Sequence, residues 1–128
     1  MNNSNSKSKS AVSILVINDD PAVRKLLSLV LTREGYGVDC VPDGEDGIFH
    51  IENNEYELII MDIELPDIFG NELVCFLREK NPLLPPVIGI SGTPWLLEPG
   101  LFNAVLKKPC SKQNLVETVQ SLLANRES

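Results

Sequence analysis

The chain has 128 residues, 11 basic and 18 acidic side chains, a formal net charge of -7 and 43% hydrophobic residues. That is one soluble globular domain with a core of its own, which excludes a large multidomain enzyme and leaves no residues in this chain for a DNA-binding domain beside it. The acidic balance argues against direct binding of nucleic acid and against adhesion to anionic membranes.

Residues 1–10 are Asn, Ser and Lys after the initial methionine, which predicts a disordered leader before a folded domain over residues 11–126. No apolar run reaches the roughly 18 residues a membrane span needs. Cys40, Cys75 and Cys110 are far apart and form no C-x-x-C pair, so they are expected as free thiols in a reducing cytosol.

Residues 12–17 form a β-branched, apolar run, consistent with a buried strand. It leads into Asn18-Asp19-Asp20-Pro21, a helix start in which an Asp caps free N–H groups and Pro occupies the first turn. Val23, Leu26, Leu27, Val30 and Leu31 then recur at helical spacing, and Gly35 and Gly37 close that helix. A second strand is expected over 37–41, a turn at Asp43-Gly44 and a short helix over 45–54. A third strand over 57–61 is apolar on both faces and runs directly into Asp62. Pro66 and Gly70 mark a loop, and residues 71–80 a helix with Leu73, Val74, Phe76 and Leu77 inward. A fourth strand follows over 87–90, then the turn Ser91-Gly92-Thr93-Pro94. Between Pro94 and Pro99 there is room for one or two helical turns only, and Trp95 is expected to pack that short loop. A fifth strand covers 103–106, Lys107-Lys108-Pro109 ends it, and the last helix runs from 112 to about 124.

Continuous apolar strands alternating with amphipathic helices predict an α/β fold: a doubly wound parallel sheet with helices on both faces. In such sheets the ligand site lies beyond the carboxyl ends of the strands. Those ends carry Asp19 and Asp20, Asp62, Ser91, and Lys107 with Lys108. Taken singly, each is an ordinary cap, turn or surface residue. Taken together, they put three carboxylates, a hydroxyl and an ammonium on one rim. Clustered carboxylates repel one another and suit Mg²⁺, a hard cation that accepts a few carboxylates and phosphate oxygens. A carboxylate so neutralised can act as a nucleophile toward phosphorus.

The ordered set Ile-Leu-Val-Ile-Asn-Asp-Asp-Pro, Asp43-Gly44, Ile60-Met61-Asp62-Ile63-Glu64-Leu65-Pro66, Ile90-Ser91-Gly92 and Lys108-Pro109 resembles the receiver domain of two-component response regulators. The resemblance implies a flavodoxin-like sheet of five strands in the order 2-1-3-4-5, with the fourth helix shortened or irregular. It implies Asp62 as phospho-acceptor, Asp20 as direct Mg²⁺ ligand, Asp19 as ligand through water, and the backbone carbonyl of Glu64 as a further ligand. Ser91 would be the switch hydroxyl, and Lys108, followed by a cis bond to Pro109, would pair with phosphate. Lys107 should point to the other face of its strand. Glu64 and Thr93 would tune the lifetime of the acyl phosphate. The implied donor is a histidine kinase or histidine phosphotransfer protein, the implied place the cytoplasm, and the implied role that of a phosphorylated switch rather than an enzyme. Three departures stand out: the short segment between Ser91 and Lys108, Val105 where the family often has an aromatic switch residue, and Phe69 where it often has Asp. The first two favour, as an alternative, a pseudo-receiver that signals without phosphorylation. A hydrolase is the more distant rival, because Gly89-Ile90-Ser91-Gly92-Thr93 lacks the closing Gly of a nucleophile elbow and no P-loop is present.

Overall fold

Alternate residues of the inner apolar strands feed two different cores, and this alternation organises the fold. The computed structural model describes residues 12–98 and 100–127; the leader expected over 1–10 lies outside them. The strands are β1 (Ser13–Ile17), β2 (Gly37–Val41), β3 (Leu58–Asp62), β4 (Val87–Ser91) and β5 (Ala104–Lys107). The helices are α1 (Pro21–Arg33), α2 (Gly44–Asn53), α3 (Gly70–Lys80) and α4 (Lys112–Glu127). All strand pairs are parallel and the sheet order is β2-β1-β3-β4-β5, as the resemblance implied.

One core joins Ile14 and Val16 of β1, Leu58 and Ile60 of β3, and Ile88 and Ile90 of β4 to Leu27 and Leu31 of α1 and Leu115 and Val119 of α4. The other joins Leu15, Ile17, Ile59, Met61 and Val87 to Leu73, Val74 and Leu77 of α3, with Ile48 and Ile51 of α2 packed against it. The doubly wound arrangement follows: α1 and α4 cover one face, α2 and α3 the other. β3 and β4 are buried along their whole length, as central strands of such a sheet must be.

Local chemistry sets the boundaries. Asp20 caps α1 through its own side chain, with Pro21 at the first helical position, and Asp43 caps α2 by accepting from Asp46 N. Gly35, at φ 95°, makes the left-handed turn that takes the chain from α1 to β2. Phe69 stands at the cap position of α3, offers no side-chain hydrogen bond there, and forms an antiparallel bridge with Glu64.

Between β4 and β5 the chain makes a single 3-10 turn, Pro94–Leu96, in place of a full helix. The resulting strap is tied to α3. Asn71 Nδ2 donates to the Leu96 carbonyl at 3.1 Å, and Arg78 donates to the Leu101 carbonyl through Nε at 3.1 Å and Nη2 at 2.8 Å. Trp95 does not pack this loop; it is 72% exposed, and the buried residue of the strap is Leu97. Phe102 packs on the backbone of Gly89, where a Cβ would lie 2.9 Å from its ring.

Candidate functional site

The site is assembled by register. Asp62 is the last residue of β3, 5% exposed, and follows four buried apolar residues. One oxygen of its carboxylate, Oδ1, accepts the Glu64 N–H at 3.0 Å; the other, Oδ2, accepts Lys108 Nζ at 2.9 Å. Lys108 is placed by β5. Ala104 and Leu106 turn toward α1 and α4, Lys107 turns away and is exposed, and the next residue turns back toward Asp62. Its backbone N–H donates to the Ser91 carbonyl at 2.9 Å, and the Lys108–Pro109 bond is cis. The ammonium keeps 39% of its side-chain area exposed, so the ion pair has a dry carboxylate and a half-wet cation.

Asp19 and Asp20 occupy the turn between β1 and α1. Both are exposed. Asp20 Oδ1 accepts the Ala22 N–H at 2.9 Å, while no hydrogen bond to the Asp19 carboxylate occurs among the described residues. The turn is held from below by Asn18, 3% exposed, whose Oδ1 accepts the Asp20 N–H at 2.9 Å. Arg24 Nη1 in turn donates to the Asn18 carbonyl at 2.7 Å. Asn18, Asp19, Asp20, Asp62 and Lys108 line one cavity of about 570 Å³ whose apolar wall comes mainly from α1.

Ser91 lies at the neighbouring strand end but is not among the residues lining that cavity. It is fully buried, and its Oγ accepts the Thr93 N–H at 2.9 Å, with Thr93 Oγ1 at 3.4 Å. Glu64 is exposed, and its N–H, the group facing Asp62, belongs to the backbone. The predicted residues therefore divide into Asp19, Asp20, Asp62 and Lys108 around the cavity, and Ser91, Thr93 and Glu64 at its edge.

Among the described residues no three Asp, Glu, His or Cys side chains make a closed metal cage. Mg²⁺ does not require one. It keeps several waters and is usually held by one or two carboxylates plus phosphate oxygens. The ionisable ligands facing the cavity are hard carboxylates, and the Cys110 thiol at its edge is a poor ligand because burial pushes its pKa up, ahead of a backbone hydrogen bond that lowers it. The donor set fits Mg²⁺.

Two supporting residues are not evident from single positions. Asn18 could have been found by comparing strands: it follows Ile14-Leu15-Val16-Ile17 as Asp62 follows Leu58-Ile59-Ile60-Met61. Asp67 reaches across from the loop after β3 and accepts the N–H groups of Gly44 and Glu45, each at 2.9 Å, at the start of α2. Partial burial opposes its ionisation, but the N–H groups of Gly44, Glu45, Asp67 and Ile68 outweigh that and hold its carboxyl below the ordinary range. No spacing rule links residue 67 to residue 44.

The sequence profile of the response regulator receiver domain matches residues 14–120. The transcriptional regulatory protein TcrA of Mycobacterium tuberculosis is 37% identical over 76 residues, 59% of this chain and 30% of that protein. The CAI-1 autoinducer sensor kinase/phosphatase CqsS of Vibrio cholerae is 29% identical over 88% of this chain and 18% of its own length. The chain thus spans less than a third of each of these two relatives. Among solved structures, the response regulator TrrA of Thermotoga maritima, in complex with Mg²⁺–BeF, superposes with a TM-score of 0.79 at 30% identity, covering 87% of this chain and 98% of that one. A CheY-like receiver domain from Methanospirillum hungatei gives a TM-score of 0.83 at 27% identity, over 92% and 98% of the two chains. With the sheet order, the paired acid and lysine and the matched span all in agreement, this chain belongs to the response regulator receiver domains, phospho-acceptor modules of two-component signalling.

Proposed function

We propose that Asp62 accepts a phosphoryl group from a phosphohistidine on a histidine kinase or histidine phosphotransfer protein, in the cytoplasm, within a receiver unit spanning residues 11–126. In the transfer the P–N bond of the donor breaks and an O–P bond forms on a carboxylate oxygen of Asp62. The donor imidazole leaves with the electron pair and is reprotonated from solvent. The observation that carries this reading is the 2.9 Å contact between Lys108 Nζ and a carboxylate that is 5% exposed, beside an acidic turn. The short strap and Val105, which pointed to a receiver that signals without phosphorylation, lie outside this pocket, where Asp19, Asp20, Asp62 and Lys108 are all in place.

Asp19, Asp20, Asp62 and the carbonyl of Glu64 would hold Mg²⁺, which offsets the carboxylate charges and that of the incoming phosphoryl group. Because Oδ1 of Asp20 already caps α1, Asp19 is the better direct ligand and Asp20 the one acting through water. This reverses the order expected from the sequence. Lys108 stays in place through the transfer, exchanging Asp62 Oδ2 for a phosphoryl oxygen. Ser91 supplies a second contact once its hydroxyl leaves Thr93 N. Glu64 and Thr93, two residues beyond Asp62 and Ser91, flank the path of the hydrolytic water. The state so formed is charged differently at the ends of β3, β4 and β5, and a partner reads that difference.

Incubation of the protein with acetyl phosphate and Mg²⁺ tests the reading. One phosphoryl group should be gained by mass, labile at alkaline pH, and lost in Asp62→Asn. Absence of any mass gain in the wild-type chain would overturn it in favour of the pseudo-receiver.

A further inference from the structure

Asn18 carries a donor that none of the described residues uses. Its backbone N–H donates to the Val41 carbonyl at 3.0 Å, and its carbonyl accepts Arg24 Nη1 at 2.7 Å. Its Oδ1 accepts the Asp20 N–H at 2.9 Å, which fixes the orientation of the amide: oxygen toward Asp20, NH₂ away from it. Among the described residues Nδ2 has no acceptor, although the residue is 3% exposed and lines the cavity shared by Asp62 and Lys108. Buried side-chain amides are almost always paired, and an unpaired one asks for a missing partner.

The register says where that partner lies. β1 and β3 run parallel with Ile17 level with Met61, so Asn18 comes level with Asp62. Alternation puts both side chains with Ile14, Val16, Leu58 and Ile60, on the α1 and α4 side of the sheet. The amide nitrogen donates only; it cannot ligate a cation, and what suits it is an oxygen anion. Both oxygens of the Asp62 carboxylate are already engaged, by Glu64 N and by Lys108 Nζ. Neither accepts from Nδ2 in this structure, which leaves the ligand as the source of an acceptor.

We propose that Asn18 Nδ2 is a phosphoryl-binding donor, which hydrogen-bonds an oxygen of the group carried by Asp62 from the β1 side while Lys108 does so from the β5 side. This rests on the phospho-acceptor reading and adds to it a contact made only in the phosphorylated state. A neutral donor in this position places no further negative charge beside the phosphoryl group.

The test follows the Asn18 side-chain NH₂ resonance, assigned by its absence in Asn18→Asp, through additions of Mg²⁺ alone and then Mg²⁺ with beryllofluoride as a phosphoryl mimic. One Nδ2 proton should move downfield only at the second addition. In Asn18→Ala the mimic should bind about tenfold more weakly at saturating Mg²⁺, as expected for loss of a hydrogen bond to a charged group, with Mg²⁺ affinity in its absence changed less than about twofold. An Asn18 resonance that stays still while those of Lys108 and Ser91 move overturns the proposal. So does one that completes its shift on Mg²⁺ alone, which would assign the donor to water around the cation. If no resonance of the pocket responds to the mimic, the phospho-acceptor reading itself fails, and the proposal with it. The wild-type spectrum keeps the test decisive even if Asn18→Ala does not fold.

Discussion

Asp62 shows how a single side chain is prepared for chemistry by its neighbours. Burial costs a carboxylate free energy unless it is compensated, and here a backbone N–H and an ammonium supply the compensation. Both also point the group toward the open side of the pocket. Glu64, whose N–H makes one of these contacts, has an exposed carboxylate free to influence a phosphoryl group or an approaching water. Glu64→Ala should change the dephosphorylation rate of the acyl phosphate several-fold without altering phosphorylation stoichiometry; an unchanged decay rate removes Glu64 from that role. Asp67 acts differently, on the fold. Its folded pKa is depressed, so its contribution to stability is fully present above the ordinary carboxylate pKa of about 3.9 and is lost as pH falls through its own lower value. Asp67→Ala should cost about 1 kcal/mol at pH 7, as for loss of a helix cap, and the gap to wild type in urea midpoints should narrow on acidification below pH about 4. A gap that persists in strong acid would mean that the loss is one of packing rather than of charge.

At the scale of elements, the apolar runs and the Asp-Pro and Asp-Gly signals located every strand and helix, and the ends of β3, β4 and β5 show why their bounds still differed. The apolar pattern ends these strands at 61, 90 and 106. Each extends one residue further, to Asp62, Ser91 and Lys107. Backbone pairing is indifferent to side-chain polarity, so the ladder continues into the residues that carry the chemistry. The segment after Ser91 was legible as too short for a helix, but not the hydrogen bonds from Asn71 and Arg78 that hold it, since these span more than twenty residues of sequence. Phe102 likewise gave no sign that it would lie on Gly89. It packs, partly buried, against the core that Val87 and Leu73 share. Gly89→Ala should therefore push a methyl into the Phe102 ring and Ile63 and destabilise the fold by about 1–3 kcal/mol in denaturant unfolding, with Phe102→Leu restoring part of the loss. Full stability in Gly89→Ala would show that the ring has room to move.

For the molecule as a whole, three of the 18 acidic side chains behind the net charge of -7, Asp19, Asp20 and Asp62, share one cavity with Lys108. Mutual repulsion there opposes folding, and a cation bound to the folded state alone relieves it. The thermal midpoint should rise with Mg²⁺, by the equivalent of about 2.7 kcal/mol at a hundred times the dissociation constant, and return on chelation. Asp19→Asn should blunt the rise. Equal responses in the variant and in wild type would place the cation elsewhere. The family and the pocket were readable because four of the pocket residues fall at strand ends, where one rule of parallel sheets sends ligands. Asn18 was missed because it looks like the first residue of a turn until β1 is laid beside β3.

That pairing has a consequence for which changes in length the chain can absorb. Because side chains alternate along a strand, deleting one residue within 14–17 or 58–61 would turn Asn18 or Asp62 from the α1 and α4 side into the apolar layer beneath α2 and α3. The connection from 92 to 103 is under no such count, because Ser91 and Lys107 are matched across β4 and β5 whatever lies between them. Insertions and deletions that spare the pocket should therefore accumulate in the strap and be absent from β1 and β3, so that its shortness leaves the placement of Asn18 and Asp62 intact and alters only the outer surface.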